Sequence, residues 1–196
     1  MQPMTLAQRL ADARLMTAHK AIVATLGPLF PGVDVVRHPG RVDLTDLLEK
    51  QIFRAPTIAV AATRVRVSRE LAGQYECIVE WTGYLIVEDQ VVGGRRIERD
   101  EIAHALGVGI LNVLDDPQTA RWGLDDISDP ALSPQPEYRP IFAVRALEQG
   151  VALYGVTWTQ TLYALGAPLW DFASPPPDDL VGGVYLPGDP QPEETP

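Results

Sequence analysis

The residues best suited to metal chemistry are Glu101 and His104, which are separated by two residues. Di-iron helical bundles use this Glu-x-x-His spacing, because positions three apart lie near one face of a helix. Such a site needs further carboxylates from other helices, and the sequence contains no second Glu-x-x-His. We therefore interpret the pair as part of a helix surface and predict neither a metal site nor a cofactor site.

The candidate nucleophiles are the single cysteine, Cys77, and the serines. Cys77 falls on an apolar strand face, whereas a reactive thiolate needs a base and electropositive surroundings. No serine stands in the Gly-x-Ser-x-Gly sequence of a nucleophile elbow. The sequence thus offers no catalytic signature, and we predict that the protein is not an enzyme.

Composition and charge narrow the remaining classes of protein. The net charge of −10 disfavours a broad surface for nucleic acid, because such a chain repels phosphate. The 196 residues contain no run of eighteen apolar residues, which predicts no membrane span. One cysteine cannot form an intramolecular disulfide, and this favours a cytosolic origin.

The clearest structural pattern is the alternation in YECIVEWTGYLIVED, residues 75–89. The odd positions are apolar or glycine, which predicts a long strand whose odd face is buried. The even positions mix Glu76 and Glu80 with large apolar side chains such as Tyr84. This mixture predicts an outer face that a partner covers.

The preceding strand, residues 57–67, is predicted to pair with it in a long antiparallel hairpin. In the predicted register, the numbers of two residues that face each other across the hairpin sum to about 142. Arg66 then lies opposite Glu76, and Arg64 lies diagonally between Glu76 and Glu80. Opposite charges then share one face and valines share the other, which supports this register.

Helical periodicity predicts two main helices, at about residues 5–26 and 98–115, and residues 151–165 are predicted to form a second long strand. The predicted fold is α+β, with a mostly antiparallel sheet built on the long hairpin and two main helices packed on one face. Shorter predicted elements are a strand near 33–36, a helix from Asp43, and a strand near 121–124 within a loop at 117–140. Thr5 and Gln8 are predicted to form a capping box, and Gly93-Gly94 is predicted to form a turn. The glycines of the helix at 98–115, Gly107 and Gly109, are predicted to permit close packing against the sheet.

The last thirty residues differ from the rest of the chain, so we predict one domain at 1–166 and an acidic, proline-rich C-terminal arm at 167–196. The arm carries eight of the 18 prolines and six acidic residues, without Lys or Arg, and cannot build a core of its own. It nevertheless contains Trp170, Phe172 and Tyr185. We interpret it as an extended arm that lies along a neighbouring surface.

The order of these elements resembles that of the tail terminator (tail completion) proteins of tailed bacteriophages, particularly the Mu-like contractile type. The resemblance covers about residues 5–166. The stretches that carry it are IFRAPTIAVAATRVRV, YECIVEWTGYLIVED with the helix RRIERDEIAHALGVGILNVL, and GVALYGVTWTQTLYALG.

The resemblance implies a structural virion protein at the head-proximal end of the tail, assembled in the host bacterial cytoplasm. It implies a homo-oligomer in the form of a hexameric ring. The ring would cap the finished tail tube, and also the sheath where the tail is contractile. It would also contact the head-completion protein. DNA would pass through the acidic channel of the ring without specific binding.

A ring subunit needs surfaces that its neighbours cover. The same features would serve another phage structural protein, such as a head-completion, baseplate or minor tail component, or a non-viral oligomeric interaction module. Ring stoichiometry and the partner recovered with the protein discriminate among these alternatives. The candidate subunit-interface residues are Arg64, Arg66, Glu76, Glu80, Tyr84, Arg95, Arg96, Trp170, Phe172 and Tyr185.

Overall fold

The computed structural model of the chain describes residues 2–40, 55–68, 76–141, 150–163 and 170–171. The chain divides into two compact units, one of Ala13–Leu165 and the other of Met1–Asp12 with Gly166–Pro196. The predicted helix from Asp43, the turn of the long hairpin and most of the predicted arm lie outside the described residues.

The smaller unit contains a short strand pair and a short helix. Strand β1 (Gln2–Pro3) pairs antiparallel with β9 (Trp170–Asp171). Helix α1 (Leu6–Ala11) begins at Thr5 with a capping box, in which Thr5 and Gln8 each bond the other's backbone N–H. The sequence therefore identified the start of this helix correctly.

The single helix predicted at about 5–26 is in fact two helices. Helix α1 ends at Ala11, and α2 (Arg14–Leu29) begins after a break at Asp12 and Ala13 that coincides with the boundary between the two units. Every residue of α1 is exposed or half-buried, whereas α2 buries Ala18, His19, Ile22 and Leu26. Apolar periodicity runs through the break, so it could not reveal where packing against the sheet begins.

The larger unit is built on a five-stranded sheet of order β2-β3-β4-β8-β7. The β2–β3 pair is parallel, and every other neighbouring pair in this sheet is antiparallel. The α+β class with a mostly antiparallel sheet is therefore as predicted. The strands are β2 (Asp34–His38), β3 (Thr57–Ser68), β4 (Glu76–Val87), β7 (Glu137–Pro140) and β8 (Ala152–Leu162).

The long hairpin forms, but its register differs from the predicted one by two residues at 64–68 and by one residue at 57–62. Arg66 lies opposite Ile78 rather than Glu76, and Arg64 lies opposite Glu80. A register shift between Ala62 and Arg64 inserts one extra residue into β3. At 64–68 the displacement of two residues keeps every side chain on its predicted face. At 57–62 the displacement of one residue places each side chain on the face opposite to the one that the predicted register gives.

Helices α2 and α3 (Arg99–Asp115) pack on the odd face of β4, which contains the main core. Trp81 lies opposite Trp158 at its centre, and both indoles are buried. The His19 ring tilts against Trp81 at a centroid distance of 5.5 Å. Its Nε2 donates to the Val60 carbonyl oxygen at 2.7 Å, and burial lowers the pKa of His19, which favours the neutral ring.

The predicted loop at 117–140 is held against β8 by the buried side chain of Gln160. Its Oε1 accepts hydrogen bonds from the indole N–H of Trp122 at 2.8 Å and of Trp158 at 2.9 Å. Its Nε2 donates to the carbonyl oxygens of Ala120 at 2.9 Å and Ser128 at 2.8 Å. The amide thus makes four hydrogen bonds. Three of them join the loop to β8, and the fourth, from Trp158, lies within β8. The loop has turns at 117–123 in place of the predicted strand, and its only extended strand within the described residues is β7.

Replacing Gln160 by leucine should destabilise the larger unit by about 3–5 kcal/mol, because two indole N–H groups and two carbonyls lose a buried partner. Denaturant unfolding measures this cost. The matched control is Gln118→Leu, which changes an exposed glutamine of the same loop and should leave the midpoint nearly unchanged. Equal stability of the two variants would contradict the role assigned to Gln160.

The two central tryptophans should respond differently to loss of the indole N–H. Among the described residues the Trp81 Nε1 has no hydrogen-bond partner, whereas the Trp158 Nε1 donates to Gln160. Trp81→Phe should therefore cost less unfolding free energy than Trp158→Phe, while Trp81→Ala should cost about 3–5 kcal/mol because it leaves a cavity. A larger cost for Trp81→Phe than for Trp158→Phe would show that the N–H groups do not decide the difference.

Candidate functional site

The outer face of the long hairpin divides into a closed part and an open part. In the closed part, Tyr84 and Ile86 of β4 pack with Ala59, Ala61 and Leu153 in a second apolar cluster. Tyr84 is only 7% exposed within the single chain, so it does not lie on a free surface. The placement of Tyr84 at a subunit interface stays a prediction, and within the single chain its side chain is buried in this cluster. In the sequence, the even positions of β4 change from acidic to apolar along the strand, and this change was the signal for the burial of Tyr84.

The open part is the end of the hairpin that lies beyond β2. Strand β2 pairs with β3 no further than Ala61. From Ala62 to Ser68, the only strand among the described residues that pairs with β3 is β4. Within the described part of the chain, one side of this segment therefore lies at a sheet edge, with its backbone N–H and C=O groups unpaired to another strand. We refer to residues 62–68 as the open edge.

The side chains of the open edge alternate between charge and apolar bulk. Arg64, Val65, Arg66 and Val67 are all exposed, and Val67 is 61% exposed. Consecutive strand residues point to opposite faces, so both faces of β3 are exposed here. The two valines share the helix-facing side of the sheet as predicted, but neither helix covers them.

The predicted ion pairs of this region do not form among the described residues. Arg64 lies opposite Glu80 in the backbone register, yet no contact within 4.0 Å joins Arg64 or Arg66 to Glu76 or Glu80. The Thr63 hydroxyl instead bonds the Glu80 carbonyl oxygen at 3.1 Å. The arginines consequently remain available to a partner.

A second exposed region is a short hairpin formed by β5 (Gln90–Val92) and β6 (Arg95–Ile97), which we call the finger. Its turn is Gly93-Gly94, and both glycines have positive φ, 58° and 80°, as a tight two-residue hairpin turn requires. The sequence predicted this turn but not the strands beside it. Val91 is 74% exposed and Val92 is 60% exposed, so the finger has an apolar tip.

Asp89 anchors the base of the finger to α3. One carboxylate oxygen accepts from Arg96 at 2.6 Å and the other accepts from the backbone N–H of Arg99 at 3.0 Å. These bonds lower the pKa of Asp89, the Arg96 bond having the larger effect. Glu98 is the N-terminal residue before α3 and makes no capping bond itself, so Asp89 supplies the cap. Of the two arginines of the finger that are predicted at an interface, Arg96 is thus bound at the base, whereas Arg95 is 3.5 Å from Glu101.

Titratable groups also meet where α3 crosses β7 and β8. The Tyr138 hydroxyl lies 3.1 Å from Nδ1 of His104, and the Tyr154 hydroxyl donates to Asp100 at 3.1 Å. The two phenol rings stack at 5.4 Å. Burial raises the pKa of both tyrosines, Tyr138 strongly, so both stay neutral and act as hydrogen-bond partners rather than bases.

This cluster explains the glycine at position 107 of α3. A Cβ on Gly107 would lie 2.4 Å from the Tyr138 ring, so glycine lets the ring pack directly on the helix backbone. The glycines of α3 were predicted to permit close packing against the sheet, and here the contact is with a side chain of its edge strand. The cluster holds α3 in place on the sheet.

The structure describes little of the three aromatic residues of the C-terminal segment that are predicted at an interface. Trp170 belongs to β9 in the smaller unit, and Phe172 and Tyr185 lie outside the described residues. In the part of the chain that is described, no group of three or more His, Cys, Asp or Glu side chains is arranged to hold a metal ion. None of the described helices combines the length and apolarity needed to cross a membrane.

Comparison with protein-family models finds no matching family, and comparison with curated proteins finds no significant match.

The anchoring role of Asp89 predicts a change in local order. Asp89→Ala should accelerate amide hydrogen exchange at Arg99 and in the finger several-fold, because the cap and the Arg96 bond are lost together. Glu88→Ala, which removes the exposed neighbouring acid, is the control and should leave exchange unchanged. Because folding lowers the pKa of Asp89, the protection should be present at neutral pH and should decline as acid protonates the carboxylate. Amide exchange that changes neither with the mutation nor with pH would show that Asp89 does not anchor the finger.

Proposed function

We propose that this chain is a structural subunit of a ring that ends the tail tube of a bacteriophage. In this proposal the ring stops further polymerisation of the tube, caps the sheath where the tail is contractile, and presents its other face to the head-completion protein. The order of elements that resembles the tail terminators supports the proposal. The observation that carries it is the open edge.

An open edge with apolar side chains is a template for pairing with another chain. Proteins that stay single usually protect such an edge with a short strand, a bulge or inward-pointing charges. Here residues 62–68 carry a bulge at their start but expose Val65 and Val67 beyond it. In a closed ring, every copy can cover the corresponding edge of its neighbour, so no edge is left over.

Charge is consistent with a channel for DNA. Six copies of a chain of net charge −10 carry about −60, which disfavours adhesion of a phosphate backbone to the wall of the channel. Arg64 and Arg66 are exposed on the hairpin end, where acidic groups of a neighbouring copy would pair with them. The acidic segment 167–196 is one source of such groups in the proposed ring.

Native mass spectrometry of the full chain, alone and mixed with tail-tube protein, tests the proposed function. We expect a closed oligomer, six copies in the simplest case, and binding to the end of preformed tubes with arrest of their growth. A different phage role would give assembly without arrest of the tube. A chain that stays monomeric at all concentrations, with and without tube protein, would overturn the proposal.

A charged open edge should block assembly and spare the fold. Val65→Lys with Val67→Lys changes two exposed side chains, so the free energy of unfolding should stay within about 0.5 kcal/mol of the original. The same change places repelling charges on the edge and should shift the oligomer to monomer. The control is Leu29→Lys, at an exposed apolar residue at the end of α2. If the edge variant still forms normal rings, the open edge is not part of the subunit interface.

Deleting residues 168–196 should leave the unit Ala13–Leu165 folded and weaken assembly. The reason is that the deleted segment contains only β9 among the strands described, and β9 pairs with β1 outside the main sheet. Circular dichroism with unfolding measures the fold, and native mass measures assembly. A truncated chain that does not fold would show that the segment serves the fold rather than the interface.

A further inference from the structure

The finger is an apolar projection without an apolar partner among the described residues. Val91 and Val92 are its most exposed apolar side chains, and each faces an arginine across the hairpin, Arg96 and Arg95 respectively. The Asp89 anchor fixes the base of the finger to the start of α3. The finger therefore presents two valines in a fixed direction, as a docking element does.

An open groove lies at the other end of α3. It has a volume of about 420 Å³, and its walls are the last turns of α3 and the proline-rich loop before β7. Leu132 on the loop is 83% exposed, and Val108 extends the apolar surface one turn back along the helix. The lining residues are Leu111, Asn112, Leu114, Asp115, Pro130, Leu132, Gln135 and Pro136.

One helix separates the two features. The finger is bonded to Arg99 at the first turn of α3, and the groove is lined by its last turns, from Leu111 to Asp115. At a rise of about 1.5 Å per residue, the two lie about 20 Å apart along the helix axis. A finger held at one end of a rigid helix cannot reach the groove at the other end of the same helix.

We propose that the finger of one copy docks in the groove of the next copy. The valines of the tip contact Leu132 and the prolines of the groove, while the polar part of the lining, which is the larger part, faces Arg95. Arg95 is exposed and has only the 3.5 Å contact with Glu101, so it can pair with the exposed carboxylate of Asp115 on the groove wall. This inference rests on the proposed ring and names one of its contacts.

A contact between two different surfaces of the same chain is head-to-tail, and repetition of such a contact makes a ring when the rotation closes. A hairpin tip of three residues per strand covers less than the roughly 1,200 Å² that a stable interface buries. The docked finger thus orients neighbouring subunits, while the open edge supplies the larger share of the contact.

Disulfide trapping between two singly substituted proteins tests this docking. We expect Val91→Cys and Leu132→Cys, mixed and allowed to assemble under mild oxidation, to give a cross-linked dimer that contains one copy of each. Neither protein alone should cross-link efficiently. The native Cys77 is buried and should not contribute. The matched control pairs Leu29→Cys with Leu132→Cys and should give no dimer, because both residues are exposed but Leu29 lies outside the finger.

The outcomes separate this inference from the proposed function. Rings of normal mass without the Val91–Leu132 cross-link would overturn the docking and leave the ring intact. Absence of any oligomer would overturn both. Charge reversal gives a second readout: Arg95→Glu and Asp115→Arg should each raise the concentration for half-assembly several-fold, and the two changes in one chain should restore it. No loss from either reversal would overturn the Arg95–Asp115 pair.

Discussion

The constraint on which the surface of this protein depends is a mismatch of length between its strands and its helices. Strands β3 and β4 each have 12 residues and span about 40 Å, whereas α3 has 17 residues and spans about 25 Å. The two helices leave the β3 side of the hairpin end uncovered, whereas Cys77 and Val79 of β4 beside it remain buried. The apolar alternation continues into the uncovered part, where Val65 and Val67 meet solvent. An exposed edge with side chains of core type is the result.

The interior holds the exposed regions in fixed positions. Three hydrogen bonds of Gln160 bind the loop after α3 to β8, and this loop leads into the residues that form one wall of the groove. Tyr138 of β7 and Tyr154 of β8 contact His104 and Asp100 of α3 and set the helix against these strands, and Asp89 ties the finger to the start of the same helix. Because all three surfaces are attached to one rigid sheet and helix layer, their relative positions are set before any partner arrives. Such preorganisation lowers the entropy cost of assembly.

Much of the fold follows from residue types and spacing, because the alternation of apolar and polar residues with a period of two indicates which face of a strand is buried. The faces of β4, and of β3 at 64–68, were predicted correctly, as were α3, the existence of β8 and the capping box at Thr5. The register was wrong by two residues at 64–68 because exposed ion pairs contribute too little energy to fix a register. It was wrong by one residue at 57–62 because the inserted residue at Thr63 leaves no mark in a charge pattern. Strand β7 was missed because its four residues end in Pro140 and follow Pro136, which are signals of a loop. The burial of Tyr84 agrees with the change along β4 from acidic to apolar even positions, whereas the residues that cover it, Ala59, Ala61 and Leu153, come from other strands.

The central claim is that a neighbouring copy covers the open edge of β3. Amide hydrogen exchange along residues 62–68, measured for the dilute subunit and for the assembled particle, tests this claim most directly. The amides that point away from β4 should exchange rapidly in the dilute subunit and become strongly protected in the particle. Equally rapid exchange in both states, in a sample shown by native mass to be assembled, would contradict the claim.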